Sequence, residues 1–295
     1  AVSIYIIPPS LICVTPSRTK SSSMDYLNSD SSNNFLIGWG LGLPASYVLL
    51  CILFRLVNLW PEKLPKGTRG SDYMSFDIVA GATLTYFGFV GTVSWLDLAG
   101  PEWSYRLLED DKFYSNANFV QNHLIIPIMM YQYWNTVLCL VLSDLRDPIM
   151  IIHHLLTGTL ALNATHPFAC YYSLFFFGLS ESTQLPLTLI DIFDHFPSIK
   201  ERNPVLYLVS QYSFGALFFI IRIFLWTIVS FEFWLGCLDL LQQSRVHNVT
   251  VVLFMLVANV ILTGMQYFWA VKIVKVACFG EVAVESVESS IKKSE

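Results

Sequence analysis

Charged residues are scarce in this sequence. Asp, Glu, Lys and Arg make up 13% of its 295 residues, whereas hydrophobic residues make up 54%. Soluble globular chains carry about 25% charged residues, so water does not solvate the whole surface of a protein this poor in charge. The apolar residues stand in long runs separated by short polar loops, which indicates that lipid is the solvent for most of the surface.

Basic clusters and metal-ligand spacings are missing as well. The sequence has no Lys/Arg-rich patch of the kind that binds nucleic acid, so we expect no nucleic-acid partner. The six cysteines stand singly, mostly inside apolar runs, and no Cys-x-x-Cys occurs. We therefore expect buried, reduced cysteines and no metal site.

The apolar runs predict an all-α, polytopic transmembrane protein with about seven spans. A helix needs about 20 apolar residues to cross the hydrocarbon core, and the fourth run is at the short limit of that length. The predicted spans are residues 35–60, 73–98, 123–142, 148–164, 168–193, 205–231 and 249–276. The half-apolar stretch 232–247 is either a helical extension of the sixth span or a re-entrant piece.

The polar segments predict how the chain is placed in the membrane. Residues 1–34 end in a polar stretch of low complexity, and we expect a disordered tail there. Lys and Arg are more frequent after spans one, three and five and in the C-terminal tail than on the other side, which predicts a lumenal N-terminus and a cytosolic C-terminus. The sequons at Asn163 and Asn248 fall on the predicted lumenal side. The pair Lys292-Lys293 near the end matches the dilysine signal of the endoplasmic reticulum, which predicts recognition by coat protein.

Three ionisable side chains stand away from the ends of the predicted fourth and fifth spans. His153 and His154 are adjacent in the fourth, and Glu181 lies at mid-depth in the fifth. Placing such a group in hydrocarbon costs roughly 2.5–3.5 kcal/mol, so we expect all three to face a protein interior or a water-filled cavity and to have a function. We expect Glu181 to hydrogen bond to one histidine, which would fix the tautomer and raise the basicity of that imidazole.

The adjacent positions of His153 and His154 limit what the pair can do. Neighbouring side chains of a helix point about 100° apart, so the two cannot easily bind one metal ion, which would need i, i+4 spacing. One histidine is expected to face the cavity while the other packs against a helix. The cavity-facing one could deprotonate an amine or hydroxyl, or accept an acyl group. The alternative interpretation is that both only hold helices together.

Arg222 lies deep in the sixth span, where an unpaired guanidinium is implausible. It is expected either to pair with Glu181, which would withdraw that acid from catalysis, or to bind an anionic lipid headgroup. The amides inside the spans are more typical of interhelical hydrogen bonds than of substrate contacts; they are Gln132, Asn135, Gln184, Asn259 and Gln266. The predicted lipid-binding residues are Arg222, Asn135, Gln184 and Trp269.

Four features, in this order, resemble the TLC-domain family, the group of membrane proteins that includes ceramide synthases, translocon-associated proteins and lipid-homeostasis proteins. They are His153-His154 at the head of a short span, FFFGLSESTQLPLTLIDIF at 175–193, FFIIRIF around Arg222, and QYFWAVKIVK at 266–275. The resemblance implies six helices in a bundle or barrel around a lipid-sized cavity, with the first span outside it. It divides the chain into a tail (1–34), a first span with its cytosolic loop (35–69), the TLC domain (70–276) and a cytosolic tail (277–295).

Two departures make the chain more similar to the broader family than to its acyltransferases. Many members have an Asp in the span before the histidine pair, near the position of Asn135, and ceramide synthases follow the pair with an acidic pattern where this chain reads GLSES at 178–182. We expect a protein of the endoplasmic reticulum that binds, senses or remodels membrane lipid, with no tightly bound cofactor. Two alternatives stay open: an acyltransferase with acyl-CoA as co-substrate, His153 or His154 as base or acyl carrier and Glu181 as orienter, and an escort for cargo of the early secretory pathway.

Overall fold

A computed structural model describes residues 30–99, 113, 118–165, 168–246 and 248–279. These residues are helical apart from short connections, and within these ranges the only strand-like pairing is one bridge between Lys63 and Arg69. The predicted all-α architecture is confirmed. Most of the predicted tail 1–34 and the pair Lys292-Lys293 lie outside the described residues, and residues 30–34 begin the first helix.

The chain divides into two compact units, residues 1–182 and 183–295. The helices of the first unit are α1 (Asp30–Leu56), α2 (Gly70–Ala99), α3 (Asn118–Val141), α4 (Pro148–Ala164) and α5 (Cys170–Ser173). Part of α3 is π-helical, at Gln121–Ile125. A π-helical segment, Leu174–Gly178, and a 3₁₀-helical segment, Leu179–Thr183, continue α5.

The described residues of the second unit form two short helices and two long ones. They are α6 (Gln184–His195), α7 (Pro197–Arg202), α8 (Pro204–Gln242) and α9 (Val249–Phe279). The middle of α8 is π-helical, at Phe218–Leu225. Because α8 continues without a break to Gln242, the stretch after residue 231 is a helical extension of the sixth predicted span and not a re-entrant piece.

Five of the described helices, α1, α2, α3, α8 and α9, are long and apolar enough to cross a membrane. The apolar helix α4 is shorter, with 17 residues. The predicted fifth span is not one regular helix, because its geometry changes at Leu174, at Leu179 and again at Gln184. The chain is thus an integral, multi-pass membrane protein, and the count of seven spans stays a prediction.

Helix α1 is the least covered of the long helices in the first unit. Only 11% of its most apolar stretch is buried, against 61% for α2 and 67% for α3. Large apolar side chains such as Leu41 and Leu49 are exposed along it, and in a membrane such side chains face lipid. Between α1 and α2 lies a groove of about 680 Å³ whose lining includes Gly38, Gly42 and Ala82.

Helix α2 crosses α5 and its continuation where glycine takes the place of a side chain. A Cβ atom on Gly91 would overlap the backbone of Gly178, and one on Gly88 would lie 2.8 Å from the backbone nitrogen of Ser182. The hydroxyls of Thr92 and Ser182 lie 2.8 Å apart at the same crossing. Small residues let helices approach closely in membranes, where packing and hydrogen bonds hold helices together. This crossing fixes the segment that carries the acid predicted from the sequence.

Two carboxylates fix the start of α4. Asp144 accepts hydrogen bonds from the backbone N–H groups of Lys66 and Thr68, both at 2.8 Å. Asp147 caps α4 by accepting from the N–H of Ile149 at 2.8 Å, and a proline follows at the first helical position, where its missing N–H is not needed. Together these contacts set the point at which α4 enters the apolar region, and therefore the depth of the histidine pair.

Candidate functional site

His154 lies at the contact between α3 and α4. Gly158, one turn further along α4, allows the two helices to come close, because a Cβ atom there would lie 3.3 Å from the side chains of Gln132 and Tyr133. The side chain of His154 is 6% exposed, and its Nδ1 lies 2.6 Å from Oε1 of Gln132. The close contact of the helices thus produces a short, buried hydrogen bond.

That hydrogen bond determines the tautomer of His154. Since Oε1 of Gln132 can only accept, Nδ1 of the imidazole donates and carries the proton. In a neutral imidazole the other nitrogen, Nε2, is then unprotonated and accepts hydrogen bonds. Within the described ranges no residue hydrogen bonds to this Nε2. The site therefore offers an acceptor inside the protein at the depth of a membrane helix.

The neighbouring His153 has a different environment. Its side chain is half-buried, and its ring centroid lies 5.4 Å from that of His154 at an interplanar angle of 64°. His154 packs against α3 through its hydrogen bond to Gln132. Among the described residues, no three His, Cys, Asp or Glu side chains are grouped so that they could hold a metal ion.

Thr157 shares the buried face of α4 with His154, because residues i and i+3 are neighbours on a helix. It is also 6% exposed, and its Oγ1 is buried without a hydrogen-bond partner in the described part of the chain. Threonine hydroxyls in helices often bond to a carbonyl of the preceding turn, as Thr136 and Thr159 do here at 2.8 and 2.7 Å. The hydroxyl of Thr157 makes no such bond and is available to another partner.

Two carboxylates and a phenol form a second polar cluster in the first unit. Glu181, on the 3₁₀-helical segment, is buried, and its Oε1 lies 3.4 Å from the hydroxyl of Ser180. Glu181 and Asp77 of α2 both act electrostatically on the buried hydroxyl of Tyr131. The same hydroxyl accepts a hydrogen bond from Nδ2 of Asn135 at 3.1 Å. Acidic groups are therefore concentrated in the interior of this unit.

Asp77 and Tyr131 are members of this cluster that the sequence analysis missed. Asp77 is an acid inside a predicted span, and the reasoning that selected Glu181 applies to it equally. It lies four residues after Tyr73, near the head of the predicted span, where a charged side chain can still reach the interface. Tyr131 gave no such signal, because aromatic residues are common in membrane helices. The sequence does not show which of them is buried.

The structure groups the predicted catalytic residues in a way that the sequence did not show. His154 is joined to Gln132, and Glu181 lies in the cluster with Tyr131. The predicted hydrogen bond between Glu181 and a histidine stays a prediction, as does the pairing of Glu181 with Arg222. What the geometry provides is an oriented imidazole with one accepting nitrogen, beside a hydroxyl on the same helix face.

Arg222 lies in the π-helical part of α8 in the second unit. Its guanidinium is buried, and Nε donates a hydrogen bond to Oγ1 of Thr183 at 2.9 Å. The other lipid-binding residues predicted in this unit, Gln184 and Trp269, are half-buried. The fourth, Asn135, bonds within α3 in the first unit. Lipid binding by this set stays a prediction.

The comparison with protein families supports one assignment. The family model described as the TLC domain matches residues 77–275, which is more than half of the chain. The matched range includes His154, Glu181 and Arg222. Neither the curated proteins nor the solved structures include a match to this chain. The chain therefore belongs to the TLC-domain family of membrane proteins.

Proposed function

We propose that this protein binds a membrane lipid by its headgroup in the interior of the first unit and acts in lipid homeostasis by sensing, presenting or remodelling that lipid. The observation that carries the proposal is the accepting Nε2 of His154, which has no partner in the described residues, beside the unpaired hydroxyl of Thr157. The hydroxyl of Thr157 is buried, and buried polar groups are nearly always hydrogen-bonded. A ligand that enters from the membrane would supply the missing partner.

The two groups specify the chemistry of the headgroup. Nε2 of His154 can only accept in this tautomer, and the hydroxyl of Thr157 can donate. A lipid hydroxyl satisfies both, because it donates to the imidazole and accepts from the threonine. We therefore propose a lipid with an alcohol group near its apolar chains as the ligand of this site.

Lipid that co-purifies with the protein tests the proposal. The full chain is purified in mild detergent, and its bound lipid is quantified by mass spectrometry for the wild type and for His154→Ala and Thr157→Val. Each variant removes one hydrogen bond to the lipid, worth about 0.5–1.5 kcal/mol, which weakens binding by roughly twofold to tenfold. His154→Ala also removes the hydrogen bond to Gln132, so Thr157→Val is the cleaner of the two variants. Thr159→Val is the matched control, because that hydroxyl bonds to its own helix and its loss leaves the lipid in place. Equal lipid content in all four proteins would contradict the proposal.

The same geometry favours one alternative, an acyltransferase that uses acyl-CoA. An imidazole whose Nδ1–H is held by a side chain and whose Nε2 is unprotonated is oriented as a general base or acyl acceptor. Under this alternative, His154→Ala abolishes transfer of acyl groups from acyl-CoA to lipid, and intact-protein mass spectrometry detects an acyl adduct on the histidine of the wild type. Under the lipid-binding proposal neither activity nor adduct is found.

We also propose residence in the endoplasmic reticulum with a lumenal N-terminus and a cytosolic C-terminus. One contact supports the sidedness: Asp144, between α3 and α4, bonds to the backbone of Lys66 and Thr68, between α1 and α2. Two connections in contact lie on the same side of a membrane, as the Lys/Arg bias predicts for them.

Replacing Lys292 and Lys293 by Ser should release the protein from the endoplasmic reticulum. If lipid binding survives but a cargo protein is then lost, the escort alternative is favoured.

A further inference from the structure

The amide of Gln266 is buried in the second unit without a hydrogen-bond partner in the described residues. Helix α9 buries one face at helical spacing, consisting of Val252, Met255, Ala258, Asn259, Leu262, Gln266 and Ala270. Gln266 is 1% exposed, and neither its Nε2 nor its Oε1 is hydrogen-bonded. A primary amide in this state has lost every hydrogen bond that water would offer, which is strongly unfavourable. This position therefore requires a partner.

Other polar side chains of α9 have found partners on α8. Oδ1 of Asn259 accepts from the indole N–H of Trp234 at 2.9 Å, and Oγ1 of Thr263 accepts from the indole N–H of Trp226 at 2.9 Å. Gln266 lies on the same buried face and departs from this pattern. Asn259, two turns away on the same face and with a shorter side chain, finds a partner on α8. The position of Gln266 on this face therefore does not explain why its amide has no partner.

These hydrogen bonds also show the level at which Gln266 lies. From Asn259 to Thr263 the bonded partner on α8 moves back from Trp234 to Trp226, so the helices are antiparallel. Tyr267, the next residue along α9, has its hydroxyl 2.8 Å from Oγ1 of Thr227, so Gln266 lies near the turn of α8 that contains Trp226 and Thr227. The π-helical part of α8, Phe218–Leu225, ends directly before this turn, and π-helical turns are frequent at functional sites. The unpaired amide thus lies beside an irregular part of a membrane helix.

We propose that Gln266 binds the carboxyl group of a fatty acid whose chain lies in the membrane. The ligand must present an acceptor to Nε2–H and a donor to Oε1 on the same side. A protonated carboxylic acid does so through two parallel hydrogen bonds. A trans secondary amide does not, because its C=O and N–H point in opposite directions, and an ester lacks the donor. The apolar neighbours along the buried face, Leu262 and Ala270, suit the acyl chain.

Photolabelling of the full-length protein tests this site. The probe is palmitic acid with a diazirine in its chain, added to nanodiscs of dioleoylphosphatidylcholine that contain the protein, and labelled peptides are identified by mass spectrometry. We expect labelling of α8 and α9 peptides in the wild type, and a loss of roughly 5-fold to 150-fold in Gln266→Met, because two neutral hydrogen bonds are removed. Gly264→Ala, on the same helix but facing open space, is the control and keeps the labelling.

Competition identifies the chemistry of the ligand. Unlabelled palmitic acid should displace the probe, whereas methyl palmitate and N-methylpalmitamide should not. Equal labelling of Gln266→Met and the wild type overturns the proposal, and an ordered water would then explain the buried amide. Equal competition by methyl palmitate also overturns it, because packing of the acyl chain alone would then explain the labelling. If Gln266→Met does not fold, the competition in the wild-type protein still decides. His154→Ala and Thr157→Val should label like the wild type, which separates this site from the one proposed in the first unit.

Discussion

At the residue scale, the candidate site consists of polar side chains that lipid could not hydrogen bond, so they need partners inside the protein. The hydrogen bond between Nδ1 of His154 and Oε1 of Gln132 both holds α3 to α4 and leaves Nε2 as an acceptor. The structural and chemical roles of the histidine are thus carried by different nitrogens of one ring. A substitution that removes the partner of Nδ1 affects the stability of the fold and the orientation of the ring together.

The first prediction concerns that partner. Gln132→Leu leaves the Nδ1–H of His154 buried without an acceptor, which should lower the free energy of unfolding by about 1–3 kcal/mol. Reversible unfolding in mixed micelles measures it. Adding His154→Phe to Gln132→Leu removes both polar partners and should recover part of the loss. A single variant as stable as the wild type would show that the hydrogen bond is not formed in the membrane.

Asp144 gives a prediction about pH, because it lies in a connection outside the spans. Partial burial raises the pKa of its carboxyl, but hydrogen bonds with Thr68 and with the backbone N–H of Lys66, and the charge of Lys66, outweigh this and hold the pKa below its ordinary 3.8. A carboxyl with a lowered folded-state pKa stabilises the fold above its unfolded pKa, and the contribution is lost as pH falls through the folded value. The contact between the two connections should therefore weaken in acid.

The unfolding midpoint as a function of pH measures this effect. The wild type should exceed Asp144→Asn in stability near neutral pH, and the difference should shrink as pH falls from about 5 through the folded-state pKa of the carboxyl. A difference that stays constant with pH would mean that the ionised carboxylate does not hold the backbone of Lys66 and Thr68.

At the scale of single elements, the sequence predicts helix limits better than helix regularity. The predicted fourth span and α4 coincide at residues 148–164, because Asp147 and Pro148 form a local start signal that needs no tertiary contact. The π-helical and 3₁₀-helical turns between Leu174 and Thr183 had no such signal. They arise where the segment packs against α2 through Gly88 and Gly91, and contacts between distant helices are not written in the local sequence.

The glycine crossing supports a prediction with a close control. Gly91→Ala places a methyl group in the backbone of Gly178, and forced overpacking of this kind costs about 1–3 kcal/mol of stability, or more when backbone must move. Gly264→Ala on α9 meets open space and should be neutral or stabilising by up to about 1 kcal/mol. Both are measured by unfolding in mixed micelles. Similar effects of the two substitutions would contradict the crossing.

The partners inside the candidate site could not be predicted for a related reason. His154 and Glu181 stand out in sequence because ionisable groups at membrane depth are costly. Gln132, whose amide bonds to His154, was one of several amides inside the predicted spans. The rotation of α3 against α4 decides which of them faces the imidazole, and the sequence does not show that rotation. Gly158 permits that contact, and its role follows from the packed helices alone.

At the scale of the whole molecule, family membership and an all-α membrane fold follow from hydropathy and four short motifs, and both are confirmed. The number of spans and the sidedness are less accessible, because α4 is short and the next helical stretch is irregular. One contact nevertheless bears on the sidedness. The connection after α1 and the connection after α3 touch through Asp144, so both must lie on the same side of the membrane.

This contact makes a prediction about topology. Single cysteines placed at Lys63 and Arg146, in a chain with its own cysteines replaced, should both react with a membrane-impermeant maleimide in right-side-out microsomes of the endoplasmic reticulum. A cysteine at Asn248 should react only after the membrane is permeabilised, because it lies on the predicted lumenal side. Labelling of Lys63→Cys and Arg146→Cys under opposite conditions would contradict the fold, and lumenal labelling of both would reverse the proposed orientation.

The protonation and bonding of His154 test the central claim most directly. Solid-state NMR of the ¹⁵N-histidine-labelled protein in lipid bilayers, with the His154→Ala variant for assignment, distinguishes a protonated from an unprotonated ring nitrogen. The account predicts a protonated Nδ1 and an unprotonated Nε2 whose resonance shifts when bound lipid is removed by detergent exchange. A protonated Nε2, or a resonance that is the same with and without bound lipid, would contradict it.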